Sequence, residues 1–461
     1  MLIKSRLLKK ELVAFIAMVP SLFGVSAHAA GFQLNETSTS LQGTAMAGSA
    51  AQANDVSAMF SNPATLSTLS GFQAYIGASQ IFPNMSMSQG KAVHTFNVPG
   101  TPPSNFSTPV SGDAHRNNLN KSVFIPNGYI GWHFFNNKFS FGVAVLEPYY
   151  MSNNYSRDSV LRFASVKSEI NSVNINPSIA YQVNEQWSFG VGFQAQYLKT
   201  VFSNFNGIYT AIPAIDTYLA ATRPSYVEGD NWGYGYTLGA LYQPNPLTRL
   251  GIGYRSQISS RQMGYAELFT LPGEAMVPAP ASTFLANVES YATTNLKTPG
   301  VLTMSAARDI NAWTVKATAQ VSFWNGMNRF SIETPDGFNQ LSTGPMKWRD
   351  AWFGALGVDY RVNPSWIARG GVAYDETPVS KKFNDPRFPD ADRVLLNFGL
   401  SYVINKYLSL DGAYSHIFMN DQRLHATQVT FGESMVQEAN QVSAKYKGSG
   451  DVVALAIRYA A

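Results

Sequence analysis

The chain predicts an all-β protein, a fourteen-stranded antiparallel transmembrane β-barrel over residues 72–461 with a small N-terminal hatch in its lumen. Three observations predict it. Tight turns and long polar connections alternate strictly along the chain, and the segments between them alternate apolar and polar side chains with period two. Charged residues are 13% of the 461-residue chain while aromatics are also 13%, against about 25% charged residues in ordinary soluble domains. A surface that touches lipid carries few charges. A soluble β-sandwich also shows period two, but it has no reason to alternate short and long loops.

Residues 1–29 read as a secretory signal. Lys4, Arg6, Lys9 and Lys10 precede an apolar stretch from Leu12 to Val25, and Ala27-His28-Ala29 fits a small-x-small cleavage site. A retained helix is the alternative, but the apolar stretch is short. Cleavage before Ala30 lowers the formal net charge from +4 to +1, because four basic residues and Glu11 leave together. The basic balance therefore gives no argument for nucleic acid, which would need a clustered basic stripe.

Residues 30–71 are small, helix-permissive and nearly free of charge. Gly43, Ala45, Ala47, Gly48, Ala50, Ala51 and Ala53 allow close packing against a wall, and Pro63 interrupts any helix before it. An N-terminus on the periplasmic side stands beside the open end of the barrel, so this element is expected inside the lumen as a plug.

From Phe72 onward, reversals suited to tight turns occur at Asn136-Asn137, Asn184-Glu185-Gln186, Gln243-Pro244-Asn245-Pro246, Asp309-Ile310-Asn311, Asn363-Pro364-Ser365 and Asn405-Lys406. Long connections are expected at 83–127, 148–163, 204–231, 260–298, 325–350, 375–391 and 420–449. Six short and seven long connections join fourteen strands and leave both ends in the periplasm. Val453, Leu455, Ile457 and Tyr459 read as the lipid face of the last strand, with Ala454, Ala456 and Arg458 turned inward.

Several strings together resemble the long-chain fatty acid transporter (FadL) family of outer-membrane proteins. They are Ala30-Gly31-Phe32-Gln33-Leu34-Asn35-Glu36, Asn62-Pro63-Ala64, Asn174-Ile175-Asn176-Pro177-Ser178, Gly229-Asp230-Asn231-Trp232-Gly233, Tyr254-Arg255-Ser256 and Pro389-Asp390-Ala391-Asp392-Arg393. Their order and spacing span nearly the whole mature chain. The resemblance implies a hatch-gated barrel in the Gram-negative outer membrane that takes up hydrophobic molecules without energy coupling. Long-chain fatty acids are the first expectation and aromatic hydrocarbons the second. It further implies a hatch role for Asn62, Pro63 and Ala64, and a gap in the wall near the third strand, Phe139 to Leu146. Lys199 and Arg329 are the candidate cations for a carboxylate head group, with ordinary pairing to Asp or Glu as the alternative. Phe82, Phe96 and Phe106 are candidates for an outer capture groove, with loop packing as the alternative. Arg162, Arg369, Arg393 and Arg458 read as structural, partnering Asp375, Asp390 or Asp411. The family commonly closes on Phe, whereas this chain closes Arg458-Tyr459-Ala460-Ala461, which leaves Tyr459 as the aromatic offered to the barrel assembly machinery.

Catalysis and cofactors are not expected. There are no cysteines, and His94, His115, His133, His416 and His425 fall in no nucleophile-base or metal-ligand spacing. The expected partners are the hydrophobic ligand and the outer-membrane lipids with lipopolysaccharide, around a monomer. A nonspecific porin or a surface adhesin is the rival of a different class, and a porin would have an open, charge-ringed lumen.

Overall fold

The computed structural model describes residues 31–97, 105–134, 138–212, 217–268, 288–333, 342–380, 382–431 and 437–461. The proposed signal, residues 1–29, and the Asn136-Asn137 turn lie outside the described residues. Fourteen staves form one closed antiparallel sheet. They are β1 (Gln73–Asn97), β2 (Val123–Phe134), β3 (Phe139–Leu146), β4 (Lys167–Gln182), β5 (Trp187–Ile212), β6 (Thr217–Asn245) and β7 (Thr248–Arg255, resuming at Ile258–Leu268). There follow β8 (Val288–Thr298 and Gly300–Ile310), β9 (Trp313–Phe323), β10 (Ala351–Asn363), β11 (Trp366–Asp375), β12 (Arg393–Val403), β13 (Leu408–Phe431) and β14 (Gln437–Ala460). β1 pairs with β14 from Gln73↔Ala460 to Asn97↔Gln437, which closes the ring.

The tight turns work through asparagine. The Oδ1 of Asn184 accepts from the N–H groups of Gln186 and Trp187, Asn363 does the same for Ser365 and Trp366, and Asn405 for Tyr407 and Leu408. A side chain that mimics a backbone turn fixes the reversal locally. Asn311 instead takes a left-handed φ of 57°, which asparagine tolerates well among non-glycine residues.

Alternation sorts the side chains as the sequence predicts. In β14, Val453, Leu455 and Ile457 are exposed while Val452, Ala454 and Ala456 are buried. At the tight-turn end, cross-strand aromatic pairs form a girdle: Trp187 with Tyr242, Trp313 with Tyr360 and Trp366 with Tyr402, with ring centroids 4.3–4.5 Å apart. Such rings suit a membrane interface, being apolar in body and polar at the edge.

The loops expected at 204–231 and 420–449 are largely strand. β5 runs on to Ile212 opposite β6, and β13 and β14 continue as a hairpin to Phe431 and Gln437. These extensions rise past the lipid band, where Arg423, His425, Thr427 and Gln441 make the outward face polar, so their composition resembled loop, while Leu424, Val442, Ala444 and Tyr446 are buried on the other face.

Residues 31–71 sit among the inward side chains. A short helix, α1 (Thr39–Gln42), and short 3₁₀ helices at Val56–Phe60 and Pro63–Thr68 supply the helical structure of this segment. Glycines on the wall make room for it: a Cβ at Gly239 would overlap Asn62, one at Gly251 would overlap Ala50, and one at Gly253 would overlap Ser61. Val56, Met59, Phe60, Leu66 and Leu69 then pack on Tyr75, Tyr129, Ala144 and Ala180 of the wall.

Candidate functional site

The hatch is held by caps and charges. The Asn62 side chain accepts from Ala64 N–H at 3.0 Å and donates to the carbonyls of Ala50 at 2.7 Å and Ala240 on β6 at 2.9 Å. One amide thus starts a helical turn, joins two parts of the hatch and ties both to the wall. Pro63 follows at the first helical position, where its missing N–H costs nothing. Ala64 is fully buried against Ala51, Leu241 and Ala307.

Asp55 caps the preceding turn and accepts from Ser40 and Ser57, both at 2.6 Å. It is the last member of a buried charge chain. Lys316 pairs with Asp359 at 2.7 Å, Asp359 with Arg369 at 3.5 Å, Arg369 with Asp411 at 3.6 Å, Asp411 with Arg458 at 2.6 Å and Arg458 with Asp55 at 3.8 Å. Burial pushes the Asp55 carboxyl up, but Arg458 and the serine hydrogen bonds outweigh it and hold the group below its ordinary value.

On the outer side, hatch residues 31–34 form one wall of an apolar cleft of about 160 Å³. Ile81, Pro83 and Met85 of β1, Met151, Phe388, and Ile417 and Met419 of β13 line it. Beneath it lies an aromatic cluster: Phe32 meets Trp324 edge-on at 4.8 Å and Tyr149 at 5.9 Å, and Trp324 meets Trp348 at 5.0 Å. Gly31 N–H donates to Asp390 at 2.9 Å, and Asp390 is paired with Arg393 at 2.7 Å. Burial pushes the hatch carboxyl Glu36 up, and burial together with the nearby Asp390 raises the loop residue Asp392 to about 6.

The barrel wall breaks beside this cleft. β3 follows β2 only as far as Leu146 opposite Asn127, while β2 continues to Val123 with β1 as its partner there. After the break the chain turns to the hatch: Leu34 N–H donates to the Pro148 carbonyl at 2.9 Å, and Tyr150 N–H to that of Phe32 at 3.0 Å. The hydroxyl of Ser172 on β4 binds both backbone groups of Tyr149, at 2.9 and 2.7 Å. Pro148 cannot donate to a ladder, and its neighbours find their partners in the hatch instead.

Several residues expected in the ligand site are elsewhere. Lys199 shares its face of β5 with the exposed Phe193 and the half-buried Tyr197 and pairs with Glu228 on the outward face of β6, so it does not enter the lumen. Arg329 is exposed on a short loop strand, opposite in direction to the buried Phe330. Phe82 is outward and 46% exposed, whereas its neighbours Ile81 and Pro83 line the cleft. In each case a shift of one residue decides the face. Phe96 and Phe106 are register partners in a loop hairpin, and their side chains lie outside the described ones. Arg369, Arg393 and Arg458 are in lumenal ion pairs, and Arg162 binds the carbonyls of Ser111 and Ser159. Sequence reasoning missed Lys121, which lines the cleft and has no ion pair among the described residues. Its loop position carried no periodic signal.

A closed barrel with an internal N-terminal hatch, an outer apolar cleft and a broken wall defines a class: outer-membrane channels for apolar solutes. The family model described as "Outer membrane protein transport protein (OMPP1/FadL/TodX)" matches residues 21–460. The chain belongs to this family of outer-membrane transport proteins. It is 27% identical over 428 residues to the long-chain fatty acid transport protein of Escherichia coli K12, covering 87% of this chain and 91% of that one. The Salmonella typhi protein of the same name is also 27% identical, covering 87% and 90%. Among solved structures, a Pseudomonas aeruginosa FadL homologue aligns over 94% of this chain and 100% of that one with TM-score 0.80 and 22% identity. The Ralstonia pickettii toluene transporter TbuX aligns over 89% and 95% with TM-score 0.59 and 19% identity.

Proposed function

We propose that the protein takes up long-chain fatty acids across the outer membrane by passive, hatch-gated diffusion, and that it catalyses no reaction. The observation that carries this reading is the apolar cleft whose inner wall is the hatch segment 31–34 and whose flank is the break after β3. Burying an acyl chain is worth about 0.8 kcal/mol per methylene, enough to capture dilute ligand, and release then requires the cleft to come apart. Because residues 32–34 are shared by the cleft wall and the break, movement of one short strand both opens the cleft and exposes a sideways exit. Lys121 meets the carboxylate at the cleft. The names of the curated relatives support fatty acids.

Aromatic hydrocarbons are the second reading, since the fold is common to transporters of both kinds and does not choose between them. The hatch argues against an open porin. The chain acts as a monomer, its ring being completed by its own β1 and β14. The barrel assembly machinery would read Tyr459 on β14. Outward pairs above the lipid band, Lys167 with Glu169 and Lys199 with Glu228, face lipopolysaccharide.

The test is uptake of labelled oleate and labelled toluene by a Gram-negative host lacking its own family member, with surface expression checked. Saturable oleate uptake is expected. Toluene uptake alone moves the protein to the hydrocarbon branch, and neither, with the barrel displayed, refutes transport of both.

A further inference from the structure

The outward face of β13, β14 and β1 changes character at one level. Below that level it is apolar, and the two most exposed large apolar side chains among the described residues, Ile76 (75%) and Leu455 (68%), both lie there. Leu455 stands between its register partners Ala78 on β1 and Gly412 on β13, so a shallow groove runs on either side of it. The apolar rows end at Phe82 of β1 and Phe418 of β13, which are exposed and lie opposite Asp451 and Ser449 of β14. Above them the same face carries Lys447, Lys445, Arg423 and Lys91. The alternate residues Leu424, Ala444 and Tyr446 are buried, which fixes the outward direction of the cations.

These cations exceed the carboxylates around them. Asp421 pairs with Lys445 at 3.0 Å and with Lys447 at 3.6 Å. Arg423 and Lys91 have no ion pair among the described residues. Asp451, at the apolar edge, is already held by the Tyr414 hydroxyl and the His416 ring, both at 2.7 Å. Arg423 is moreover the direct register partner of Lys445, and like charges opposite each other on a ladder are unfavourable without an anion between them. Far round the ring, the outward charges are matched instead: Lys167 with Glu169, Lys199 with Glu228, and Asp230 with the Tyr197 hydroxyl.

The height of the cations is set by the strand. With a rise of about 3.3 Å per residue and a tilt of about 45°, Lys447 stands about 5 Å above Ser449 and Lys445 about 9 Å above it. The phosphorylated sugars of the outer leaflet begin at this level, and long lysine stems let the ammonium groups reach down to them. We propose that Lys447, Lys445, Arg423 and Lys91 form a docking surface for one lipopolysaccharide molecule, its lipid A phosphates on these cations and its acyl chains in the grooves beside Leu455. The proposal rests on the outer-membrane location and not on what the barrel carries. The Arg423 fork suits bidentate contact with a phosphate, and the lysines act as point charges. Asp421 holds Lys445 and Lys447 in place before the lipid arrives and then competes with its phosphate. The docked lipid covers the seam where the first and last strands close the ring.

The experiment is native mass spectrometry of the purified full-length protein in a non-ionic detergent with EDTA, titrated with bisphosphorylated lipid A, monophosphorylated lipid A, phosphatidylglycerol or inorganic phosphate. Wild type is compared with Lys445→Gln/Lys447→Gln, Arg423→Gln/Lys91→Gln, Asp421→Asn and Lys199→Gln, with barrel integrity checked by heat-modifiable migration. Bisphosphorylated lipid A is expected to bind about tenfold more tightly than phosphatidylglycerol, with the monophosphorylated form between them. Each double variant should lower its affinity about tenfold or more, and Lys199→Gln should change it less than about twofold. Asp421→Asn should raise it about threefold, and it decides the matter if the double variants do not fold. Unchanged affinity in both double variants overturns the surface, and so does an equal loss in Lys199→Gln, which marks attraction by overall charge. A wild type that takes phosphatidylglycerol as tightly as lipid A overturns the assignment to lipopolysaccharide, as does displacement of lipid A by equimolar inorganic phosphate. Binding that disappears in EDTA also overturns it, because divalent ions on carboxylates would then be the contact. Failure of the transport reading is distinguishable: lipid A would still bind through these cations in a protein that carries no oleate into cells.

Discussion

At the scale of single residues, Asn62 shows how one side chain can carry a hatch. Its amide satisfies a helix N-terminus and two carbonyls at once, so Asn62→Ala should cost the docked hatch at least the roughly 1 kcal/mol of a lost cap, and more for the carbonyls left unpaired. The expected readout is raised single-channel conductance with unaltered heat-modifiable migration of the barrel. Pro63→Ala should act in the same direction more weakly, because its ring fixes only the first helical residue. Side-chain parity governs the next expectation. Lys121→Ala should lower oleate uptake severalfold and spare a neutral solute, whereas Lys199→Ala and Phe82→Ala, both on the outward face, should leave oleate kinetics unchanged. A loss in the outward variants equal to that in Lys121→Ala would remove the cleft from the uptake path. The sequence offered these outward residues as ligands because distance along the chain was legible and the absolute face at each strand end was not.

At the scale of elements, the hatch and the wall break are two marginal pieces tied to rigid staves. Asp55 links the hatch to the charge chain through Arg458. Its carboxyl lies below its ordinary value of 3.8 in the docked state, so docking gains from its ionisation above that pH and loses this contribution as pH falls through the lowered value. Conductance of the purified protein should therefore stay low at about pH 5–8 and rise in stronger acid. Asp55→Asn, which leaves Arg458 with one partner fewer, should raise it already at neutral pH. Glu36 acts oppositely: its raised carboxyl favours docking when protonated, and that support fades as pH climbs above 4.5. A rise confined to the acid limb and absent in Asp55→Asn assigns the effect to Asp55. At the break, Ser172→Ala removes the hydroxyl that binds both backbone groups of Tyr149, at an expected local cost of about 1–3 kcal/mol. Amide hydrogen exchange at residues 147–151 should quicken by tenfold or more, while that of β13 and β14 stays as it was.

At the scale of the whole molecule, closure of the ring by β1 and β14 is expected to let the barrel fold without the hatch it contains. Removing residues 30–71 should leave a folded, heat-modifiable barrel with large, steady conductance and with oleate uptake no longer saturable. Loss of the folded barrel would instead make the hatch part of the fold. The sequence by itself determined the number of staves, their tight asparagine turns, the outward and inward rows, and a small-residue segment able to fill the lumen. These are local properties, set by period two, turn chemistry and side-chain size. Only the tertiary structure decided which hatch atoms meet which wall glycines, where the wall parts after Leu146, and which lumenal arginines find a carboxylate. Those depend on strand stagger around a closed ring, which brings residue 31 beside residue 390 and residue 60 beside residue 255, and no spacing along the chain encodes such a meeting.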